Sequence, residues 1–336
     1  MAVTHSVLMR AILLTGVAGA LAVASPARAA DYKMTILHVN DLQSRLEPVT
    51  ESGAKCTPED TQAKRCAGGV ARLAARIQAE KAGSHNVVVV NTGNAFTGSS
   101  FYDVHKQRAI SETMNLIGFD AMTVGDREFV DGTEMLSRFH QSVRFPLLGA
   151  NIDVQKDPYM KDRIYPFIAT VIGTEQVALL GYSPENLIAL AKPTGIVHVE
   201  PIEVSLHRWM KQLSMMGINK VVAISHAGIE RDRQIAASTD GLDVIIGTAG
   251  NAKPGAPQVI KGPGGPVVLA HAGEFGRSLG RLDVTFDAKG HPKHWDGKAF
   301  ELTDGSPEDP GLKDLVTTLA TSTAQLPPAA GAPAVR

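Results

Sequence analysis

The 336 residues carry 33 basic and 34 acidic side chains, so the chain is close to neutral, and no basic stripe marks it as a reader of nucleic-acid phosphates. Hydrophobic residues at 44% and charged residues at 20% describe an ordinary globular protein, long enough for one large α/β domain or two small ones.

Residues 1–29 read as a signal peptide. After Arg10 comes the run AILLTGVAGALAVA, too short to span a bilayer but suited to a signal core, and Ala27-Arg28-Ala29 supplies small residues before a cleavage point at Ala30. No cysteine follows that run to accept a lipid, and no later stretch is apolar enough to span a bilayer. The expected product is exported, periplasmic or secreted, with no membrane attachment after cleavage. Cys56 and Cys66 bracket TPEDTQAKR, which reads as a polar loop without periodicity. In an oxidising compartment a disulfide closing that loop is preferred over zinc, because two thiols without a nearby His or further Cys make a poor metal site.

Strand and helix patterns then alternate. KMTILHV reads as a buried strand and GGVARLAARIQAEKA as an amphipathic helix with Val70, Leu73, Ala74 and Ile77 on one face. NVVVVNTG is a strand stopped by glycine, AISETMNLIG a helix capped by Gly118, DAMTVG a strand, GTEMLSRFHQSV a helix and FPLLGANI extended. FIATVIGTEQVALLGYS gives two strands joined near Gly173 and Thr174. PIEVSLHRWMKQLSMMG is a helix whose Met and Trp residues serve packing, with Leu206, Met210 and Leu213 inward. KVVAIS, LDVIIG, PVVLAH and GRLDVTFD are further strands, and KGPGGP is a turn that lacks the Lys-Ser/Thr of a phosphate loop. The rhythm predicts an α/β fold of two stacked mixed sheets flanked by helices in a single domain over 31–305. A C-terminal helix over 306–326 and a disordered Pro/Ala-rich tail over 327–336 follow.

Polar residues just past strand ends gather at one edge of such folds. Five ends are polar here: HVNDLQ, NTGN, GDRE, SHAG and GTAGN. With ILHVND, CAGGVARLAARI, FTGSS, MNLIGFDAMTVG, EFVDG, FPLLGANI, ISHAGIERD, DVIIG and GRLDVTFD in order, the chain resembles the calcineurin-like metallophosphoesterase domain of the 5′-nucleotidase family. That resemblance implies an αββα sandwich and a centre of two divalent cations that activate water and clamp phosphoryl oxygens. It also implies a disulfide before GGVARL, and a second, nucleobase-stacking domain of which the chain shows only the leading helix.

Carried over position by position, the family's site is largely changed. Its Asp-x-His stands here as Asp41-Leu42-Gln43, and its Gly-Asp, with the bridging carboxylate, as Gly93-Asn94. Its Gly-Asn-His-Glu stands as Gly125-Asp126-Arg127-Glu128, which puts Arg127 at the catalytic His position. Its Ser-His remains as Ser225-His226, while its Gly-His-x-His has become Thr248-Ala249-Gly250-Asn251. Asp41 and His226 keep metal-binding identity as vestiges; Gln43, Asn94, Ala249 and Asn251 are former site positions.

Three readings of the cleft follow. Arg127 takes over the metals' charge by pairing with Asp41 or Asp126; or its guanidinium binds phosphate or another anion; or Asp41, Asp126 and His226 hold at most one weakly bound divalent cation in a remodelled enzyme. No other cofactor is expected. The function expected is that of an exported pseudoenzyme, an accessory or anion-binding protein, with a protein partner possible and no nucleic-acid partner. Glu128 is expected to brace its loop, His38 and His271 to be structural, and His291 and His294 to be solvated in a KGHPKHWDG turn.

Overall fold

The computed structural model describes residues 31–248, 250 and 253–325. The segment expected to be a signal peptide, the expected terminal tail, Ala249 and Asn251 lie outside the described residues.

Two six-stranded sheets stack face to face. In the first, strands Tyr32–Val39, Val87–Asn91, Ala121–Thr123 and Leu147–Leu148 run parallel, and Ser278–Phe286 and Pro292–Glu301 extend the sheet antiparallel beyond Tyr32–Val39. In the second, Glu175–Tyr182, Val221–Ser225, Val244–Ile246 and Pro266–Ala270 run parallel, flanked by antiparallel Phe167–Ile172 and Gln258–Lys261. Four parallel strands per sheet therefore bring their C-terminal ends to one edge.

The strand sequences are apolar on both sides because both faces are covered. Met34, Ile36, Val88 and Val90 of the first sheet meet Val177, Leu179, Val222, Ile224 and Ile246 of the second in the central layer. The alternate residues Leu37, Val39 and Val89 face outward onto helices Val70–Ala82, Gln107–Ile117, Gly132–Ser142 and Pro310–Gln325. Ala178, Leu180, Val221 and Ala223 pack on helix Ile202–Met215 through Leu206 and Leu213, and on helix Ile229–Ser238 through Ile235 and Ala236. The result is the four-layer αββα sandwich expected from the sequence. Gly118 closes its helix in the left-handed conformation at φ 80°, as its placement predicts.

The structure corrects the reading in three places. The segment between the cysteines is not featureless: Thr57 and Asp60 form a reciprocal capping box that starts a short helix, Pro58–Gln62. Cys56 and Cys66 themselves are disulfide-bonded. KGHPKHWDG is not a turn throughout, since His294 lies in the long edge strand Pro292–Glu301, whose mostly exposed residues conceal the strand pattern. The terminal helix starts at Pro310, four residues later than expected.

Candidate functional site

The polar strand ends converge between the sheets. Asn40 is the hub: its side-chain amide donates to Thr92 Oγ1 at 3.1 Å and to the Gly247 carbonyl at 2.5 Å, and its Oδ1 accepts from Ala272 N at 2.9 Å. One residue therefore ties three other strand ends to its own. The turns that follow bend sharply: Asp41, Gln43, Ser44 and Asn94 all have left-handed φ, between 44° and 54°. Such strain persists only where neighbours over-determine it. Here Gln43 N and Ser44 N bond the carbonyls of Asn94 and Ala95, each at 2.8 Å. Gly93, at φ 97°, packs so closely that a Cβ there would stand 2.7 Å from the Thr123 carbonyl.

Glu128 is the brace beneath this turn. Fully buried, its Oε2 accepts from Gly125 N at 2.7 Å and Asn94 N at 3.0 Å, and its Oε1 from Ala95 N at 2.7 Å and Phe96 N at 3.3 Å. Burial pushes its carboxyl above the usual range, and these N–H donors work against that shift.

Above the brace, four of the predicted residues meet. His226 Nδ1 lies 2.7 Å from the Thr92 carbonyl. A carbonyl can only accept, so Nδ1 carries the proton and Nε2 is turned into the cleft. That nitrogen stands 3.7 Å from Asp41 Oδ1 and 3.8 Å from Asp126 Oδ1. Asn94 donates to Asp126 Oδ1 at 3.3 Å and accepts from Arg127 N at 3.0 Å. Burial raises the Asp41 pKa, with His226, Asn94 and Arg127 opposing. Behind His226, Asp232 accepts from Ser225 Oγ at 2.5 Å and Tyr182 OH at 2.8 Å through Oδ1, while its Oδ2 is buried without a partner. Burial pushes this carboxyl up to about 7.

Arg127 does not pair with Asp41 or Asp126. Its Nη1 donates to Thr97 Oγ1 at 2.9 Å, and no ion pair of Arg127 forms among the described residues. The neighbour of the carboxylates is the imidazole, held by the Thr92 carbonyl with its Nε2 toward both, while Arg127 lies at the rim. Two further charges share that rim. Arg45 donates to the Gln43 carbonyl at 2.8 Å and to the Gly53 carbonyl at 3.0 Å, and lies over the Phe275 ring. Half-buried Glu274 has its pKa raised by burial and then by Asp41. Sequence reasoning missed Glu274, although HAGEF after strand Pro266–Ala270 is a sixth polar strand end. Thr248 is buried at the edge of the second sheet. His38 is buried in its strand, its pKa lowered to about 4 by burial, and His271 follows the end of strand Pro266–Ala270.

The donor set does not fit two metals. The bridging position is an amide engaged on both its oxygen and its nitrogen, and among the described residues no group of three or more His, Cys, Asp or Glu is arranged to hold an ion.

Fold and site edge together define a calcineurin-like metallophosphoesterase sandwich. The structure superposes on a 5′-nucleotidase precursor from Thermus thermophilus with a TM-score of 0.80 and 29% identity, covering 88% of this chain and 60% of that one. It shares its fold with the calcineurin-like phosphoesterase YfkN of Bacillus subtilis, at a TM-score of 0.70 and 21% identity over 88% of this chain and 99% of that one. In sequence it is 33% identical to the 5′-nucleotidase of Bos taurus, over 84% of this chain and 51% of that protein. It is 32% identical to the snake venom 5′-nucleotidase of Naja atra, over 86% and 57%. No family model matches the chain. The chain belongs to the 5′-nucleotidase family, whose metallophosphoesterase domain it carries, and it spans about half the length of the curated relatives it matches.

Proposed function

We propose that this protein is an exported, catalytically degenerate member of its family, an accessory protein that binds phosphate or a related anion and does not hydrolyse esters with two metals. The observation that carries this reading is the division of labour in the cleft: His226 Nε2 faces both carboxylates, while the Arg127 guanidinium has, among the described residues, one neutral side-chain hydrogen-bond partner, Thr97. A guanidinium has five donors in a planar fork, so most of this one's remain for an incoming anion. Two doubly charged cations about 4 Å apart repel by about 17 kcal/mol at an effective dielectric of about 20. With Asn94 neutral at the bridging position, little offsets that repulsion. Arg127 keeps its proton near neutral pH and cannot act as a general acid. The apolar run before Ala30 and the relatives named as venom proteins support export, and no helix among the described residues is long and apolar enough to cross a membrane.

A second reading has its own support. His226 Nε2 lies at nearly equal distances from Asp41 and Asp126, and a single divalent cation that drew these three groups together would make a remodelled one-metal phosphoesterase. One experiment separates the two: elemental analysis of the mature protein, p-nitrophenyl phosphate turnover in added Mn²⁺, and calorimetric titration with inorganic phosphate. Little metal, no turnover and saturable phosphate binding are expected. Close to two Mn, Zn or Fe per chain would sink the proposal, and one ion with turnover would select the second reading.

A further inference from the structure

The rim of the cleft brings two guanidiniums to one short loop. Arg127 Nη1 donates to Thr97 Oγ1 at 2.9 Å. Arg45 Nη1 lies against the next residue, Gly98, where a Cβ would collide with it, so the glycine makes room for the guanidinium. Arg45 is held from behind: its Nε and Nη1 donate to the carbonyls of Gly53 and Gln43 at 3.0 and 2.8 Å, and its planar group lies 5.0 Å from the centre of the Phe275 ring. Neither guanidinium forms an ion pair, and neither Nη2 makes a hydrogen bond, among the described residues. Burial and then the charge of Arg127 lower the Arg45 pKa, as two cations sharing one loop imply. An anion between them relieves that repulsion and takes up the free donors of both planar forks.

Glu274 is the acid that shares this rim. Its neighbour Phe275 donates its backbone N–H to the Asp41 carbonyl at 2.8 Å, which ties the turn to the cleft, and Phe275 is the ring that Arg45 covers. On its other side, a Cβ on Gly250 would stand 3.8 Å from Glu274 Oε1. The carboxyl accepts no hydrogen bond among the described residues. Burial and then Asp41 raise its pKa, while Arg127, His226 and Arg45 oppose them. An ionised carboxyl can only accept, so beside a bound anion it calls for an anion that itself carries a proton. Hydrogen phosphate keeps a hydroxyl near neutral pH, and sulfate has none.

Resting on the reading of Arg127 as an anion-binding residue, we propose that Arg45 and Arg127 clamp one tetrahedral oxyanion and that Glu274 restricts it to hydrogen phosphate over sulfate. The test is calorimetric titration of the mature protein with inorganic phosphate, sulfate and nitrate at about pH 8, well above the ordinary carboxylate range. Phosphate should bind about tenfold or more tighter than sulfate, because Glu274 accepts from its hydroxyl and repels an anion without one. Glu274→Gln should bring sulfate to within about threefold of phosphate, since an amide can donate to either. Arg45→Gln should weaken phosphate by about tenfold or more, the loss of one charge-assisted contact. In Glu274→Gln, doubly charged sulfate should also exceed singly charged nitrate by about tenfold or more, which keeps the clamp testable if Arg45→Gln fails to fold. A parent protein that binds no phosphate removes the anion reading itself and this proposal with it. Where phosphate does bind, three results would overturn the proposal alone: sulfate binding the parent equally well, selectivity surviving Glu274→Gln, or phosphate affinity unchanged in Arg45→Gln.

Discussion

The floor and the mouth of the candidate site are one residue apart in sequence and differ in almost every physical respect. On the floor, Glu128 is fully buried and its two oxygens take four backbone N–H groups from two loops. At the mouth, the Arg127 side chain is partly exposed and, among the described residues, makes a single side-chain bond, to Thr97. The loop is therefore braced from beneath by Glu128, whatever the residues at the mouth do. Holding the loop and doing chemistry are separate tasks assigned to neighbouring residues, and one can be lost without the other.

Breaking the floor is expected to have the largest effect. Glu128→Ala leaves four buried N–H groups without acceptors and should cost about 3–5 kcal/mol, read as a lower urea midpoint. A loss near zero would mean the loop holds itself. A smaller change is expected one layer back, at Asp232. Its pKa rises from 3.8 to about 7 on folding, so between those values the folded chain keeps a proton that the unfolded chain has released. Stability contributed by this group therefore falls as pH rises through that window and is level above it. His38 works the other way: lowered from 6.5 to about 4, it favours the fold above pH 6.5 and loses that contribution as pH falls through 4. Asp232→Asn removes the first slope, so its stability should rise with pH between 4 and 7 more steeply than the parent's, by about 2–4 kcal/mol over the window. Parallel stability curves for the two proteins would refute the assignment.

Much of this fold was legible because strands covered on both faces are written as unbroken apolar runs, such as Val87–Val90 and Val221–Ile224. Where burial is weak the writing fades. Pro292–Glu301 is an edge strand with mostly exposed side chains and reads as a polar turn, and helix Ile229–Ser238 buries only Asp232, Ile235 and Ala236. The candidate site was legible by position, since Asp41, Asn94, Asp126 and His226 all follow strand ends. What each side chain touches was not, because left-handed turns at Asp41, Gln43 and Asn94 decide which groups face inward. The bond from His226 Nδ1 to the Thr92 carbonyl turns the imidazole toward both carboxylates, and the pairing expected of Arg127 is unmade.

That unmade pairing reshapes the expectations for Arg127. Arg127→His places an imidazole back at the mouth, yet Asn94 remains a neutral bridging residue, so p-nitrophenyl phosphate turnover should stay at background; measurable hydrolysis would show that the rest of the site is competent. Arg127→Ala is the smallest expected effect on the fold and the sharpest test of the comparison. If Arg127 neutralised Asp41 and Asp126, its removal would strand buried charge and cost several kcal/mol. With Thr97 as its only side-chain hydrogen-bond partner among the described residues and water within reach, the loss should stay below about 1 kcal/mol, within the range of a partly exposed polar contact. The same variant should lose phosphate affinity by about tenfold or more, because a charge-assisted contact to the anion disappears. A destabilisation as large as that of Glu128→Ala, with phosphate binding unchanged, would place Arg127 on the floor and erase the distinction between the two.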